Sequence, residues 1–267
     1  MNSYHKNQKA TVVCLHSSMS HGGQWRALVN RLENDFNVLT PNLLGYSGAN
    51  DDFDRQLRLE DEVAAVMRQI ETIDGPVHLV GHSFGGAVSL RLASMYPQRI
   101  ASLTLYEPVW FSLLFEDGIS DAETMEVDRI QKSLASDTQF GRLRGAQEFI
   151  DYWAGGDGWS YLSAQQQDRL ASLSCKVAAE FGALMAAGPA TQELRKLDIP
   201  VRLLCGTNTR SSARRISELL AEIVPGVEYC RLDGMAHMAP VTNADDVNPL
   251  IVDHIVANAT DDRVAVA

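Results

Sequence analysis

Positive charge is in short supply. Against 34 Asp and Glu stand 23 Lys and Arg, giving a formal net charge of -11 over 267 residues. Nucleic acids and anionic membranes are held by clustered cations, so this balance argues against both as partners. No acidic block is long enough to read as a disordered tail, and the charge reads as a solvated surface. Cysteine is scarce as well: there are four, none in C-x-x-C spacing, which removes the common zinc and dithiol signatures. Cys14, Cys205 and Cys230 fall inside strand-like runs and read as small buried thiols in a reducing compartment. No apolar run reaches the length of a membrane span, and the polar start Met1–Lys9 lacks the apolar core of a signal peptide. Gly-rich phosphate loops, metal-ligand clusters and internal repeats are missing too, so no cofactor and no metal is expected. These absences point to a cytoplasmic protein with a small-molecule ligand; whether it forms a homo-oligomer stays open.

What is present suits one large α/β domain, with 45% hydrophobic and 21% charged residues. Strand candidates are Thr11–Leu15, Phe36–Thr40, Val77–Val80, Leu103–Tyr106, Val201–Cys205 and Val227–Leu232. Their nearly continuous apolar runs predict strands covered on both faces, as in a parallel sheet. Between them, helical spacing appears at Trp25, Leu28, Val29 and Leu32, at Val63, Val66, Met67 and Ile70, and at Ile216, Leu219, Leu220 and Ile223 before Pro225-Gly226. Val247, Leu250 and Ile251 open a last helix with Pro249 near its first turn. Such alternation predicts a doubly wound, mostly parallel sheet with right-handed crossovers. One region departs from it. From Pro108 to Leu197 no strand pattern occurs, only helical pieces such as Glu123–Leu134 and Gln165–Met185 around the glycine-rich stretch Trp153–Trp159. The expected division is a core of residues 1–109 and 190–267 with an inserted helical cap, 110–189.

The chemistry is carried first by Gly81-His82-Ser83-Phe84-Gly85-Gly86, placed between a strand run and a helix run closed by Pro97. A serine between glycines at that junction sits on a strained turn that lifts its hydroxyl above the sheet edge. A Cβ at Gly81 or Gly85 would strike neighbouring backbone, and the helix N-terminus behind Ser83 favours negative charge. Serine needs a base. Of seven histidines, His237 in Gly234–Pro240 lies between the last strand and last helix, at the carboxyl edge where Ser83 emerges. His78 lies within a strand, and His254 is expected on a surface helix.

On these residues the chain resembles the α/β-hydrolase superfamily from about Thr11 to the last helix. The resemblance places the nucleophile at Ser83 and the base at His237. Thr40–Gly48 is similar to the family's D-x-x-G-x-G-x-S loop, with Asn42 in place of the aspartate. Its usual acid turn, G-x-x-D, reads Gly206-Thr207-Asn208-Thr209 here. A neutral hydroxyl cannot balance an imidazolium. Some members carry the acid after the preceding strand, where this chain has Glu107. Asp233 lies too close in sequence to His237, and Asp198 belongs to the opposite edge; a strand-end ion pair is the other reading of Glu107. The family's oxyanion loop, H-G-x, corresponds to His16-Ser17-Ser18. This implies donors at Phe84 and Ser18, with Ser17 as the alternative, and a bracing role for His16. Met19, Trp110, Trp153 and Trp159 are expected to line the substrate pocket, within an aromatic set that includes Phe111, Phe115, Tyr152 and Tyr161.

The implied function is a cofactor-independent serine hydrolase of a small to medium, largely apolar carboxylic ester or lactone, through an acyl-enzyme on Ser83. Two alternatives stand beside it. Meta-cleavage C–C hydrolases carry a G-G-P-G-like loop and a tryptophan after the histidine, where this chain has Ser17-Ser18-Met19-Ser20 and Met238. A non-catalytic small-molecule receptor would suit a broken triad. Epoxide hydrolase and dehalogenase chemistry would need an aspartate at position 83.

Overall fold

A computed structural model describes residues 9–48, 56–116, 121–188 and 191–259. The polar N-terminal stretch noted above lies outside the described residues, except for Lys9. Among the described residues, six strands form one sheet: β1 (Thr11–Leu15), β2 (Asn37–Leu39), β3 (Val77–His82), β4 (Ile100–Tyr106), β5 (Val201–Gly206) and β6 (Glu228–Leu232). Every pairing is parallel and the order is β2-β1-β3-β4-β5-β6. The α-helices between β1 and β4 among the described residues are α1 (Arg26–Leu32), α2 (Leu59–Ile70) and α3 (Phe84–Met95).

Alternation along each strand sends side chains to two layers. Val12, Cys14, Val80, Tyr106 and Leu204 pack against Trp25, Leu28 and Leu32 of the α1 region and Val247, Ile251 and Ile255 near the C-terminus. Val13, Leu15, Val77, Leu79, Leu103, Leu105 and Leu203 face the other layer, with α2 and the buried α3.

Between β4 and β5 lie α4 (Ser112–Glu116), α5 (Asp121–Leu134), α6 (Gln139–Ala154), α7 (Ala164–Ser172), α8 (Ser174–Ala186) and α9 (Thr191–Leu194). Among the described residues this stretch contains no strand. After β5 come α10 (Ser211–Ile223), then α11 (Ala239–Thr242) and α12 (Ala244–Asn258) behind β6. No helix among the described residues is long and apolar enough to cross a membrane.

Several boundaries differ from those expected. The second strand shrinks to three residues, and it starts late because Phe36 N–H donates to Leu32 O at the end of α1. The sixth strand begins one residue late, at Glu228, and the expected Glu123 helix begins two residues early. Gln165–Met185 is two helices, broken at Leu173 (φ -87, ψ -4), with neither proline nor glycine marking the joint. The last helix starts at Ala244, so Pro249 is interior rather than in the first turn. Phe115 and Tyr161 face solvent, at 47% and 86% exposed.

His254 is the clearest correction. It lies in α12 but is buried, with Nδ1 2.9 Å from Thr104 Oγ1 of β4. His78 in β3 is likewise buried, with Nδ1 2.8 Å from Ser102 Oγ. Burial pushes both imidazoles down to about 4. The unfolded chain therefore binds more protons than the folded one between pH 6.5 and 4, and stability falls as pH falls through that window. Each histidine adds up to about 1.4 kcal/mol per pH unit to the slope. Urea midpoints measured at pH 7, 6 and 5 should decline, and His254→Asn should flatten the decline. An unchanged slope in that variant would contradict the burial argument.

Candidate active site

The strand order sets the location. β2 lies on one side of β1 and β3 on the other, so the loops leaving β1 and β3 diverge and open a crevice at the carboxyl edge. Ser83 follows β3 there with φ 55 and ψ -120, a strained conformation for a residue with a side chain. The turn closes because glycines flank it. A Cβ on Gly81 would lie 2.6 Å from Gly85 O, and one on Gly85 would lie 2.4 Å from His16 O and 2.5 Å from Leu15 O. Ser83 N–H donates to Tyr106 O at 3.1 Å, and Ser83 O accepts from Ala87 and Val109 N–H.

His237 reaches Ser83 from the β6–α11 loop: its Nε2 is 2.9 Å from Ser83 Oγ. Its Nδ1 is 2.7 Å from Glu107 Oε2. The three side chains are buried, at 5% exposed for Ser83, 2% for His237 and 0% for Glu107. Glu107 follows β4 with φ 42. Its Oε1 accepts from Gly206 N–H at 2.8 Å, and its Oε2 accepts from Thr209 Oγ1 at 2.6 Å. The residue standing where the G-x-x-D turn would have its acid thus donates to a carboxylate one strand away. From the sequence alone Thr209 is only a missing acid, and its place in that turn is the signal that it faces the same edge.

Two carbonyls fix the histidine loop. Ala236 O accepts from Tyr106 Oη at 2.8 Å, and His237 O accepts from His82 Nε2 at 2.9 Å. His82 is fully buried and its pKa lies well below the usual imidazole value, first because of burial and then because of His237. Its Nδ1 accepts from Gln24 Nε2 at 3.1 Å. Gln24 Oε1 in turn accepts from Ser17 N–H at 3.1 Å and Ser17 Oγ at 2.9 Å. Nothing in the sequence around Gln24 marks it. His82 carried a signal, since a histidine in an apolar strand must find partners.

In the β1 loop, Ser17 and Ser18 differ in their partners. Ser17 N–H goes to Gln24 and Met19 N–H to Tyr46 Oη at 3.0 Å. Among the described residues, Ser18 N–H and Phe84 N–H make no hydrogen bond to the protein. Phe84 N–H is the first of α3 and has no acceptor within the helix. His16 is occupied at both nitrogens, donating through Nδ1 to Ser17 O at 2.8 Å and accepting from Leu43 N–H at 3.1 Å.

Of the four residues expected at the pocket, Trp153 of α6 lies stacked on His237 with ring centroids 3.9 Å apart and planes at 28°. Met19 is buried in the β1 loop with φ 56. Trp110 and Trp159 are buried in the same apolar cluster, but no hydrogen bond or ring contact joins them to Ser83, Glu107 or His237. Tyr152 anchors α6 instead, with Oη 2.8 Å from Ser212 Oγ of α10 and Arg210 over its ring.

Comparisons with known proteins bear on the family and the fold. A family model described as the alpha/beta hydrolase family matches residues 12–250. The pimeloyl-[acyl-carrier protein] methyl ester esterase of Methylococcus capsulatus is 27% identical over 257 residues, covering 92% of this chain and 95% of the esterase. Lipase LipV of Mycobacterium tuberculosis is 33% identical over 106 residues; that match spans 39% of this chain and only 40% of the lipase. Among solved structures, the enol-lactonase of Burkholderia xenovorans LB400 superposes with a TM-score of 0.75 at 19% identity, over 95% of this chain and 93% of the lactonase.

Close backbone approach also governs the histidine loop, because a Cβ on Gly206 would lie 2.1 Å from Met235 O. Gly206→Ala is expected to cost about 1–3 kcal/mol or more as the loop is pushed away. Gly156→Ala, with nothing within 4 Å of its Cβ position, is expected to change stability little. Equal urea midpoints for the two variants would refute the steric argument.

Proposed function

This chain belongs to the alpha/beta hydrolase family, and from that premise we propose that it is a serine hydrolase cleaving a small to medium, largely apolar carboxylic ester or lactone without a cofactor. The observation that carries the reading is the continuous Ser83–His237–Glu107 hydrogen-bonded line at 2.9 and 2.7 Å. The esterase and lipase names of relatives at 27% and 33% identity favour ester substrates. The buried aromatic side chains around Trp153 favour an apolar one.

In this mechanism His237 Nε2 takes the Ser83 proton as Oγ attacks the carbonyl carbon. Glu107 accepts Nδ1–H, which selects the tautomer with a free Nε2 and offsets the imidazolium charge. Phe84 and Ser18 N–H donate to the tetrahedral oxyanion. The imidazolium then protonates the departing alkoxide, leaving the acyl group on Ser83. Water, deprotonated by His237, releases the acid and restores the serine. Residues 110–189 act as a lid on the core of 1–109 and 190–267, with Trp153 as its contact to the base.

A fluorophosphonate probe should label the wild type and fail on Ser83→Ala; labelling that survives the change would sink the nucleophile assignment. Glu107→Gln should lower kcat on a short p-nitrophenyl ester by about 10⁴. Thr209→Ala, which removes one donor to a carboxylate that keeps two others, should cost about tenfold or less. A reversed ranking of these two variants would move the acid role away from Glu107. Turnover of esters, lactones and ring-fission dienoates, compared side by side, tests the substrate class, and absence of any turnover would favour a receptor.

A further inference from the structure

α8 buries two charged side chains one turn apart, Lys176 and Glu180, at 1% and 0% exposed. Lys176 Nζ is 2.7 Å from Glu62 Oε1 of α2 and 3.3 Å from Glu180 Oε1. Removing three charges from water is costly even when they are paired, and the contacts of this cluster reach beyond packing. Glu62 Oε2 accepts from Leu44 N–H at 3.0 Å. Glu180 Oε1 accepts from Tyr46 Oη at 2.7 Å, and Tyr46 Oη accepts from Met19 N–H at 3.0 Å. Both bonds converge on the β2–α2 connection, and the second continues into the β1 loop. Burial, then Glu180, raises the Tyr46 phenol well above its usual value, so it keeps its proton and the direction of the relay is fixed. Lys176 Nζ also lies 5.2 Å from the centre of the Phe84 ring.

Ser18 is therefore clamped on both sides. Its preceding residue is held by Gln24 and its following residue by Tyr46. Met19 has φ 56, a conformation that relaxes easily once its tether is lost. We propose that Tyr46 and Glu180 are positioning residues for the oxyanion donor at Ser18, so that α8, part of the helical insert, sets the strength of the oxyanion hole through the Met19 N–H. This rests on the serine hydrolase reading and names a control on that same site. Neither residue touches the reacting atoms. Their effect is to hold one backbone N–H where the oxyanion forms, and small displacements of such donors are expensive.

The test uses Tyr46→Phe, Glu180→Leu, Glu180→Gln and the Tyr46→Phe/Glu180→Leu pair. Three quantities are read: kcat and KM on a short p-nitrophenyl ester, the rate of fluorophosphonate labelling of Ser83, and Tm. Tyr46→Phe and Glu180→Leu should each lower kcat and labelling rate about tenfold with KM little changed, short of the ~10²–10³ lost with an oxyanion donor itself. The double variant should be no slower than either single one. Glu180→Gln keeps an amide oxygen for Tyr46 and should stay within about threefold of wild type, even where its Tm falls as far as that of Glu180→Leu. Variants that lose Tm but keep kcat, or a Glu180→Gln as slow as Glu180→Leu, would overturn the proposal and leave the hydrolase reading intact. A wild type that neither labels nor turns over would overturn both.

Discussion

The start of α3 lies so close to the carbonyls ending β1 that only glycine fits at position 85. That approach does more than pack a helix on a sheet. It brings the loop after β1, with its Ser18 N–H, alongside the turn after β3, with Ser83 and the Phe84 N–H. The reversal of strand order between β1 and β3 supplies the crevice, and glycine closes it to hydrogen-bonding dimensions. The remaining parts reach the same edge by the same device, since Gly206 lets the histidine loop rest against the end of β5.

Strain is concentrated here. Among the described residues, the non-glycine positions with positive φ are Met19, Ser83 and Glu107. Each such conformation costs on the order of 1–3 kcal/mol and persists only where its surroundings over-determine it. The surroundings are visible in every case: Tyr46 on Met19, Tyr106 O and α3 on Ser83, Gly206 and Thr209 on Glu107. The stability supplied by two apolar layers is spent at one edge of the sheet.

Periodicity carried the fold well, because parallel strands buried on both faces leave continuous apolar runs and their helices leave one-sided ones. It failed where neighbours override local preference. Phe36 gives its N–H to the end of α1, the α7–α8 joint has no breaker residue, and His254 looks like a surface residue until Thr104 is known to face it. At the candidate site, the residues that the structure joins by hydrogen bonds and that a motif position makes legible are Ser83, His237, and Glu107 through the vacancy at Thr209. Gln24, Tyr46 and Glu180 were not legible. Their parts come from contacts between elements 7 to 134 residues apart, and no local pattern encodes such a contact.

The bonds that shape the histidine loop do not pass through Ser83 Oγ. Tyr106 holds Ala236 O, His82 holds His237 O, and Gln24 carries the second of these links on to Ser17. Deleting one hydroxyl at residue 83 therefore removes the atom proposed to react and leaves the mould standing. A chain disabled in that way is a receptacle in which an intact substrate can be caught, weighed by mass spectrometry and seen in a crystal, so the site can be made to report its own ligand.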